Sequence, residues 1–225
     1  MSSKIITPIG FIENEFKEKF GIPRQSGRIN NLSKVYFYPP FNVQDAFREL
    51  KNYSHIWLIF GFSEIPEKDF SPTVRPPRLG GNKKVGVFSS RSPFRPNGLG
   101  LSSVELISIE NDAKNGVVLT VKGADLLNGT PIYDVKPYLK QYDCHENAVS
   151  GYSEEYVDKK LNVKYDKGLE NILSDEKLKV LTECLSEDPR PAYHEDGKIY
   201  GFNFSDFEIK FSVSGDTLTV LEINR

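Results

Sequence analysis

The sequence predicts a mainly β protein, with a closed or nearly closed β-barrel followed by a smaller α+β domain. Short runs of β-branched and aromatic residues, separated by glycine, proline and asparagine, recur up to about residue 138. Many short strands with frequent turns and few helices are typical of barrels. Near residue 150 the composition becomes acidic. We therefore place a barrel domain at residues 1–148 and a small C-terminal domain at residues 149–225.

The barrel domain is predicted from several strand patterns. The run at 5–12 contains Pro8, which suits a strand at a sheet edge. The run at 55–62 is continuously apolar and has the length of a strand, so we expect it, with Trp57, in the core. Asn42 is predicted to cap a short helix. The other strand patterns lie at 35–38, 85–88, 101–109 and 117–121.

The C-terminal domain is predicted to contain one helix and three strands. Ser174 is a suitable helix cap, because Leu178, Leu181 and Leu185 follow it at three- and four-residue spacing. Turn signals then separate three strand patterns, at 199–204, 207–213 and 217–223.

The most informative stretch of the sequence is 69–102, which has little room for a helix. It contains six cations and one acid, so it carries +5, whereas the rest of the chain carries −7 because the net charge is −2. Five prolines and five glycines determine its backbone shape. Long connections of this kind usually serve as binding loops or lids. We therefore predict an anion-binding surface, whose cations are Arg75, Arg78, Lys83, Lys84, Arg91 and Arg95.

The glycine-rich segments in this stretch do not match nucleotide-binding motifs. Residues 81–87 have the glycine spacing of a phosphate loop, but Val87 and Phe88 stand where Lys and Ser/Thr are required. Residues 98–103 lack the third glycine of a dinucleotide fingerprint and lead into a strand pattern. A nucleotide-like cofactor is therefore predicted to bind outside a Rossmann fold.

Cysteine and histidine usage predicts a reducing compartment and no metal site. Cys144 and Cys184 are too few for a disulfide scaffold. Cys144 and His145 have no second closely spaced pair, and His55 and His194 stand alone. We find no signal peptide and no apolar run near the roughly 20 residues that span a bilayer. We therefore expect a cytoplasmic protein.

Four polar loops, each shaped by proline or glycine, follow one another in a defined order. They read KFGIPRQ at 19–25, RPPRLGGN at 75–82 continuing to RSPFRPN at 91–97, DLLNGTPI at 125–132 and DPRPAY at 188–193. In this order and spacing the sequence resembles the TrmO family, also called TsaA-like or YaeB-like. The resemblance covers nearly the whole chain, and the long central motif is highly specific.

This resemblance implies a fold, an activity and partners. It implies an S-adenosylmethionine-dependent methyltransferase that methylates N6 of threonylcarbamoyl-adenosine next to the anticodon of tRNA. Family members have a single-sheeted β-barrel and form homodimers with the cofactor near the subunit interface. We therefore expect S-adenosyl-L-methionine as cofactor, tRNA and a second copy of the chain as partners, and neither a membrane nor a metal.

The resemblance also implies cofactor-binding residues. A sulfonium cofactor needs donors for its carboxylate, acceptors for its ammonium group and apolar cover for its adenine. The sequence departs from the family at 128, 89–90 and 98–99, where the family commonly has Asp, Ala-Thr and Pro-Ile. Asn128 still accepts hydrogen bonds, whereas Gly98 loosens a loop that proline would stiffen. The implied residues are Pro23, Arg24, Gln25, Ser63, Glu64, Arg91, Leu101, Asn128, Gly129, Thr130 and Pro131.

The predicted reaction depends mainly on positioning the methyl donor beside the acceptor. Removal of the N6 proton needs a general base, for which Asp69, Asp134 and Tyr193 are candidates by residue type and loop placement. Structural caps and turns explain each of them better, so the catalytic residue is unknown. The residues predicted to bind tRNA are Arg75, Arg78, Lys83, Lys84, Arg95 and Arg190.

Two other functions are consistent with the same residues. A non-catalytic RNA-binding β-barrel module would use the same cations with exposed aromatic residues and no cofactor. A related methyltransferase would use the same cofactor and a different substrate. Calorimetry with S-adenosylmethionine distinguishes the first, and mass spectrometry of tRNA nucleosides distinguishes the second.

Overall fold

The computed structural model describes residues 5–65, 69–76, 79, 83–155, 160–190 and 197–225. Within them the N-terminal part contains β1 (Gly10–Glu13), β2 (Leu32–Phe37), β3 (His55–Gly61), β4 (Thr73–Val74), β5 (Val85–Gly86), β6 (Leu99–Asp112), β7 (Gly116–Lys122), β8 (Pro131–Pro137) and helix α1 (Lys140–Asp143). The C-terminal part contains β9 (Asn162–Tyr165), helix α2 (Asp175–Ser186), β10 (Ile199–Phe204), β11 (Phe207–Ser214) and β12 (Thr217–Asn224).

Six antiparallel strands form one closed barrel in the order β1-β2-β7-β6-β3-β8, and β8 pairs with β1 to close it. The predicted mainly β fold with a single-sheeted barrel is therefore confirmed. Strands β4 and β5 form a separate two-stranded hairpin within the cationic stretch. Because a closed barrel has no free edges, its strands position the loops at its ends rigidly.

Strand β3 lies between β6 and β8 in the barrel wall. Its residues alternate between the two faces, so Ile56, Leu58 and Phe60 are buried inside the barrel. Trp57 is half-buried on the outer face, where its indole N–H donates to Asp143 Oδ2 at 3.1 Å. The prediction that Trp57 lies in the core is wrong, because a continuous apolar run does not reveal which residues face inward.

Strand β8 closes the barrel but was not among the predicted strands. It begins at Pro131 and ends at Pro137, and prolines normally argue against a strand that pairs on both sides. Here they stand at the two ends, so the residues between them pair with β3. Barrel closure therefore depends on a strand whose sequence pattern is weak.

The segment after Asn42 is shorter and less regular than predicted. It forms two 3-10 turns, Gln44–Phe47 and Leu50–Asn52, and the first is preceded by Val43 without a side-chain cap. The Asn42 side chain instead donates to the carbonyl of Asn115 at 3.0 Å. A short helix is therefore present in its 3-10 form, and the predicted cap by Asn42 is wrong.

The C-terminal domain is a four-stranded sheet in the order β10-β11-β12-β9, with β9 parallel to β12. Helix α2 begins after Ser174, whose hydroxyl accepts from the Lys177 N–H at 3.4 Å. Leu181 and Leu185 are fully buried in the core of this domain. The predicted helix and the three predicted strands are thus confirmed, and β9 is an additional short strand.

Residues from the N-terminal part complete the core of the C-terminal domain. Phe16 and Ile29 are buried in this core, and Phe20 and Ile22 pack against it. Gly21 has a φ of +89°, and a Cβ built on it would lie 2.6 Å from the ring of Phe202, so the chain approaches the sheet as closely as glycine allows. The loop between β1 and β2 is therefore packed onto the C-terminal domain.

Among the described residues, no helix is both long and apolar enough to span a membrane.

Candidate cofactor and nucleic-acid site

A large open cleft lies beside the end of β3 and the start of β6, and its volume is about 2370 Å³. The loops at 24–28, 61–65, 69–76 and 88–98 contribute to it, together with Pro131 and Tyr133 of β8. Three of the four loops that carry the resemblance therefore meet at one place. The predicted residues that line the cleft are Arg24, Gln25, Ser63, Arg91 and Pro131 for the cofactor and Arg75 and Arg95 for tRNA.

The described lining of the cleft is strongly cationic. It contains five arginines, Arg24, Arg28, Arg75, Arg91 and Arg95, and one carboxylate, that of Asp69. Arg75 is exposed and makes no hydrogen bond or ion pair with another described residue. Because clustered charges of one sign attract ligands of the opposite sign, the cleft favours an anionic ligand.

Hydrogen bonds hold the loop at 23–28 against three other segments of the chain, one of which is the central cationic stretch. The Arg91 guanidinium donates to Gln25 Oε1, and the Arg24 guanidinium donates to the Asp188 carbonyl at 3.1 Å. The Gly27 N–H donates to the Gly123 carbonyl at 2.8 Å. The first contact brings Arg91 to Gln25 although the two residues are far apart in sequence, and the second holds Arg24 against Asp188.

Helix α2 holds the same loop from the other side. The Arg28 guanidinium donates to Glu187 Oε2 through Nε at 2.9 Å and through Nη2 at 2.7 Å. Asn30 donates from its side-chain amide to Glu183 Oε1 at 2.9 Å and from its backbone to Glu183 Oε2 at 2.6 Å. The C-terminal domain therefore positions the loop that carries three predicted cofactor residues, Pro23, Arg24 and Gln25.

Asp125 is a half-buried carboxyl beside this loop that the sequence analysis did not single out. Burial raises its pKa, while hydrogen bonds from the Ser102 hydroxyl and the Ser26 backbone and the charge of Arg91 act in the opposite direction. The Ser102 hydroxyl donates to Asp125 Oδ1 at 2.6 Å. Asp125 is the first residue of the motif at 125–132, and its place in that motif was the available signal in the sequence. Asp125 therefore links β6, the loop at 23–28 and Arg91.

The turn at 127–130 is bonded to the protein and is not free to bind a ligand through its amides. The Asn128 and Gly129 N–H groups donate to the carbonyls of Phe16 and Ile12, each at 2.8 Å. Asn128 Oδ1 accepts from the Asn14 backbone N–H at 3.0 Å. The turn thus ties the β1–β2 loop to the start of β8.

Six of the predicted cofactor residues lie outside the lining of the cleft. Pro23 and Thr130 are buried, and Glu64 accepts from Lys19 through its backbone carbonyl. Leu101 is 56% exposed on the outer face of β6. The remaining two are Asn128 and Gly129.

The predicted tRNA-binding residues divide into three groups. Arg75 and Arg95 line the cleft, and Lys83 and Lys84 are exposed beside the β4–β5 hairpin. Arg190 is 5% exposed and forms an ion pair with Asp188, with Nε 2.8 Å from Oδ1. Its guanidinium therefore faces the protein. Arg78 lies outside the described residues.

Of the three candidate bases, only Asp69 is a described residue that lines the cleft. Asp134 lies on β8, where it accepts from the Val135 N–H at 2.9 Å and pairs with Lys136 at 3.0 Å. Tyr193 lies outside the described residues. Within the described part of the chain, no group of three or more His, Cys, Asp and Glu side chains is placed to hold a metal ion.

The residues of the cleft fit the chemistry of S-adenosylmethionine. Arg24, Arg91 and Gln25 present donors for a carboxylate, and Arg91 and Gln25 are already oriented by their mutual hydrogen bond. Phe62, Pro131 and Tyr133 provide apolar surface for a purine. The donors for a carboxylate and the apolar wall for a purine thus lie within one cleft.

A closed antiparallel barrel with an arginine-lined cleft at the end of its wall defines a class of β-barrel proteins that bind anionic ligands outside a Rossmann fold. The family model described as the tRNA-methyltransferase O N-terminal domain matches residues 11–144. The TrmO C-terminal domain matches residues 158–225. The chain therefore belongs to the TrmO family, which confirms the resemblance stated from the loops.

Similar proteins cover almost the entire chain. It is 38% identical over 224 residues to the tRNA (adenine(37)-N6)-methyltransferase of Escherichia coli (strain K12), covering 95% of each chain. It is 35% identical over 230 residues to a putative S-adenosylmethionine-dependent methyltransferase of Pseudomonas aeruginosa, covering 97% of this chain and 96% of the relative. A crystal structure of TrmO matches with a TM-score of 0.82 and 30% identity over 100% of both chains.

Proposed function

We propose that this chain is an S-adenosylmethionine-dependent tRNA (adenine37-N6)-methyltransferase that acts on threonylcarbamoyl-adenosine. The observation that carries the proposal is the cationic cleft, in which Arg24, Gln25 and Arg91 meet Arg75 and Arg95. The names of the relatives from Escherichia coli and Pseudomonas aeruginosa support the same reaction and the same cofactor.

In this proposal Arg24, Gln25, Ser63, Arg91 and Pro131 hold the cofactor. Bound S-adenosylmethionine supplies a methyl group carried on a positively charged sulfur. The side chains orient it beside the acceptor, and correct orientation of two reactants can contribute about 7–11 kcal/mol to a reaction. The predictions for Pro23, Glu64, Leu101, Asn128, Gly129 and Thr130 depend on the resemblance alone.

Arg75, Arg95, Lys83 and Lys84 are proposed to contact the phosphates of tRNA. Contacts of lysine and arginine side chains with phosphates release counterions from nucleic acid. The burial of Arg190 against Asp188 removes it from this set, because its guanidinium is already occupied. The proposal assigns no general base.

The domain organisation, assembly and compartment are part of the same proposal. Residues 1–148 form the catalytic barrel, and residues 149–225 brace its β1–β2 loop, as supported by the Arg28–Glu187 pair. A homodimer is supported by the exposed apolar side chains of Leu101 and Ile107 on β6. The free thiols of Cys144 and Cys184 support a reducing compartment, the cytoplasm. Light scattering of the purified protein tests the dimer.

A methyl-transfer assay tests the function. The protein is incubated with S-adenosylmethionine and either tRNA carrying threonylcarbamoyl-adenosine or the same tRNA carrying unmodified adenosine, and the nucleosides are measured by mass spectrometry. We expect methylation of the first tRNA only. Arg91→Ala should lower kcat/KM by at least about tenfold, the effect of one lost charged contact of about 1.4 kcal/mol.

Arg48→Ala is the matched control, because Arg48 is exposed and pairs with Asp45 outside the cleft. It should leave the rate unchanged. Binding of S-adenosylmethionine without methylation of either tRNA would indicate a different substrate. RNA binding with no calorimetric heat from S-adenosylmethionine would indicate a non-catalytic RNA-binding module.

A further inference from the structure

Three exposed phenylalanine rings line the cationic cleft. Phe70, Phe88 and Phe94 are 59%, 71% and 47% exposed. All fifteen phenylalanines lie in the described part of the chain, and Phe41 is the only other one that is mainly exposed. Because water disfavours apolar surface, three exposed rings at one cleft indicate a ligand that covers them.

Phe88 is held in place by the backbone around it. The preceding Val87 is 1% exposed, and its N–H donates to the Pro72 carbonyl at 3.0 Å. The Ser90 hydroxyl donates to the Val87 carbonyl at 2.9 Å, and the Arg95 guanidinium donates to the Ser90 carbonyl at 2.7 Å. A planar ligand that stacks on Phe88 therefore meets an ordered turn, so little conformational entropy is lost on binding.

Charge and size indicate the kind of ligand. Among the described residues, five arginines and one aspartate line the cleft, and the Arg95 guanidinium carbon lies 5.9 Å from the centre of the Phe88 ring. Aromatic rings alternating with guanidinium groups are typical of surfaces that bind single-stranded nucleic acid. The volume of about 2370 Å³ exceeds the roughly 300–1,000 Å³ of a small-molecule site. The cleft thus has room for a strand beside the cofactor.

We propose that Phe70 and Phe88 stack on unpaired bases of the RNA strand next to the target adenosine. Arg75 and Arg95 contact the phosphates that join these bases. This inference rests on the proposed function and adds to it the flanking bases as the group that is recognised. Because every base has a planar face, such stacking positions the loop with little dependence on base identity.

Phe88→Leu tests the stacking with an anticodon stem-loop RNA, measured by fluorescence anisotropy at several salt concentrations. Affinity should fall by about fivefold to a hundredfold, the range that loss of one base–aromatic stack produces. The slope of log affinity against log salt should not change, since no phosphate contact is lost. Arg75→Ala should instead reduce that slope by about one. Phe41→Leu, at an exposed ring outside the cleft, should have no effect.

Phe88→Trp provides a second readout, because the native chain has one tryptophan, Trp57, which does not line the cleft. The stem-loop should quench the new indole emission. Unchanged RNA affinity of Phe88→Leu would overturn the inference while leaving the proposed function intact. The inference would also be overturned if Phe88→Leu lost affinity for S-adenosylmethionine but kept its affinity for RNA. A changed oligomeric state of Phe88→Leu would overturn it as well. No RNA binding by the unaltered protein would overturn both proposals.

Discussion

Glu187→Gln removes the charge that holds the β1–β2 loop on the C-terminal domain. Arg28 donates two hydrogen bonds to one Glu187 oxygen, and the two side chains are 32% and 11% exposed. Hydrogen bonds to charged groups contribute about 1.5–3 kcal/mol. Glutamine can still accept a hydrogen bond and solvent reaches Arg28, so we expect the free energy of unfolding to fall by about 1–2 kcal/mol.

The same substitution should weaken cofactor binding, although Glu187 lies outside the cleft. Arg24 and Gln25 belong to the loop that Arg28 anchors. If half of the lost free energy, about 0.5–1 kcal/mol, comes from the form of this loop that binds the cofactor, the Kd for S-adenosylmethionine should rise about twofold to fivefold. Urea denaturation measures the change in stability, and isothermal titration calorimetry measures the change in Kd.

Glu222→Gln is the control for this experiment. Glu222 pairs with Lys210 at 2.7 Å within the C-terminal sheet, and their side chains are 49% and 36% exposed. Because solvent screens this pair, its loss should change the stability less than Glu187→Gln does and leave the cofactor affinity unchanged. The reasoning fails if Glu187→Gln destabilises the protein but binds S-adenosylmethionine as tightly as the native chain does.

Two further predictions concern packing and protonation. Gly100→Ala should cost about 1–3 kcal/mol in urea denaturation, because its Cβ would lie 2.3 Å from the buried ring of Phe60; a variant as stable as the native protein would contradict this packing. Burial raises the pKa of Asp125 above its value in the unfolded chain. The contribution of Asp125 to the free energy of unfolding is therefore greatest below about pH 4 and is lost as pH rises through the raised pKa. The Tm of the native protein should therefore fall relative to Asp125→Asn between about pH 4 and 8, whereas parallel Tm curves would refute the assignment.

The strands and helix that depend on local patterns could be predicted from the sequence. The alternating runs that became β6 and β7 and the capped helix α2 contain their own periodicity and turn signals. Strand β8 was missed because its prolines conceal it, and β9 was missed because it is four residues long and pairs in parallel with the distant β12. Long-range pairing leaves little trace in a short segment.

The candidate site could be predicted only in part. Charge and proline identified the loops that hold Arg24, Arg75 and Arg91, since these features are visible residue by residue. The inward orientation of Arg190 and the role of Asp125 could not be predicted, because both depend on residues that only the fold brings near them.

The sequence alone determined the family, the mainly β class and the cationic loops that favour an anionic ligand. These properties follow from residue type, order and spacing, all of which are visible in the linear sequence. Only the tertiary structure decided that the loops meet in one cleft, that the C-terminal domain braces one of them, and that Phe88 is exposed beside Arg95. The physical reason is that convergence, burial and ring exposure arise from contacts between residues far apart in the chain.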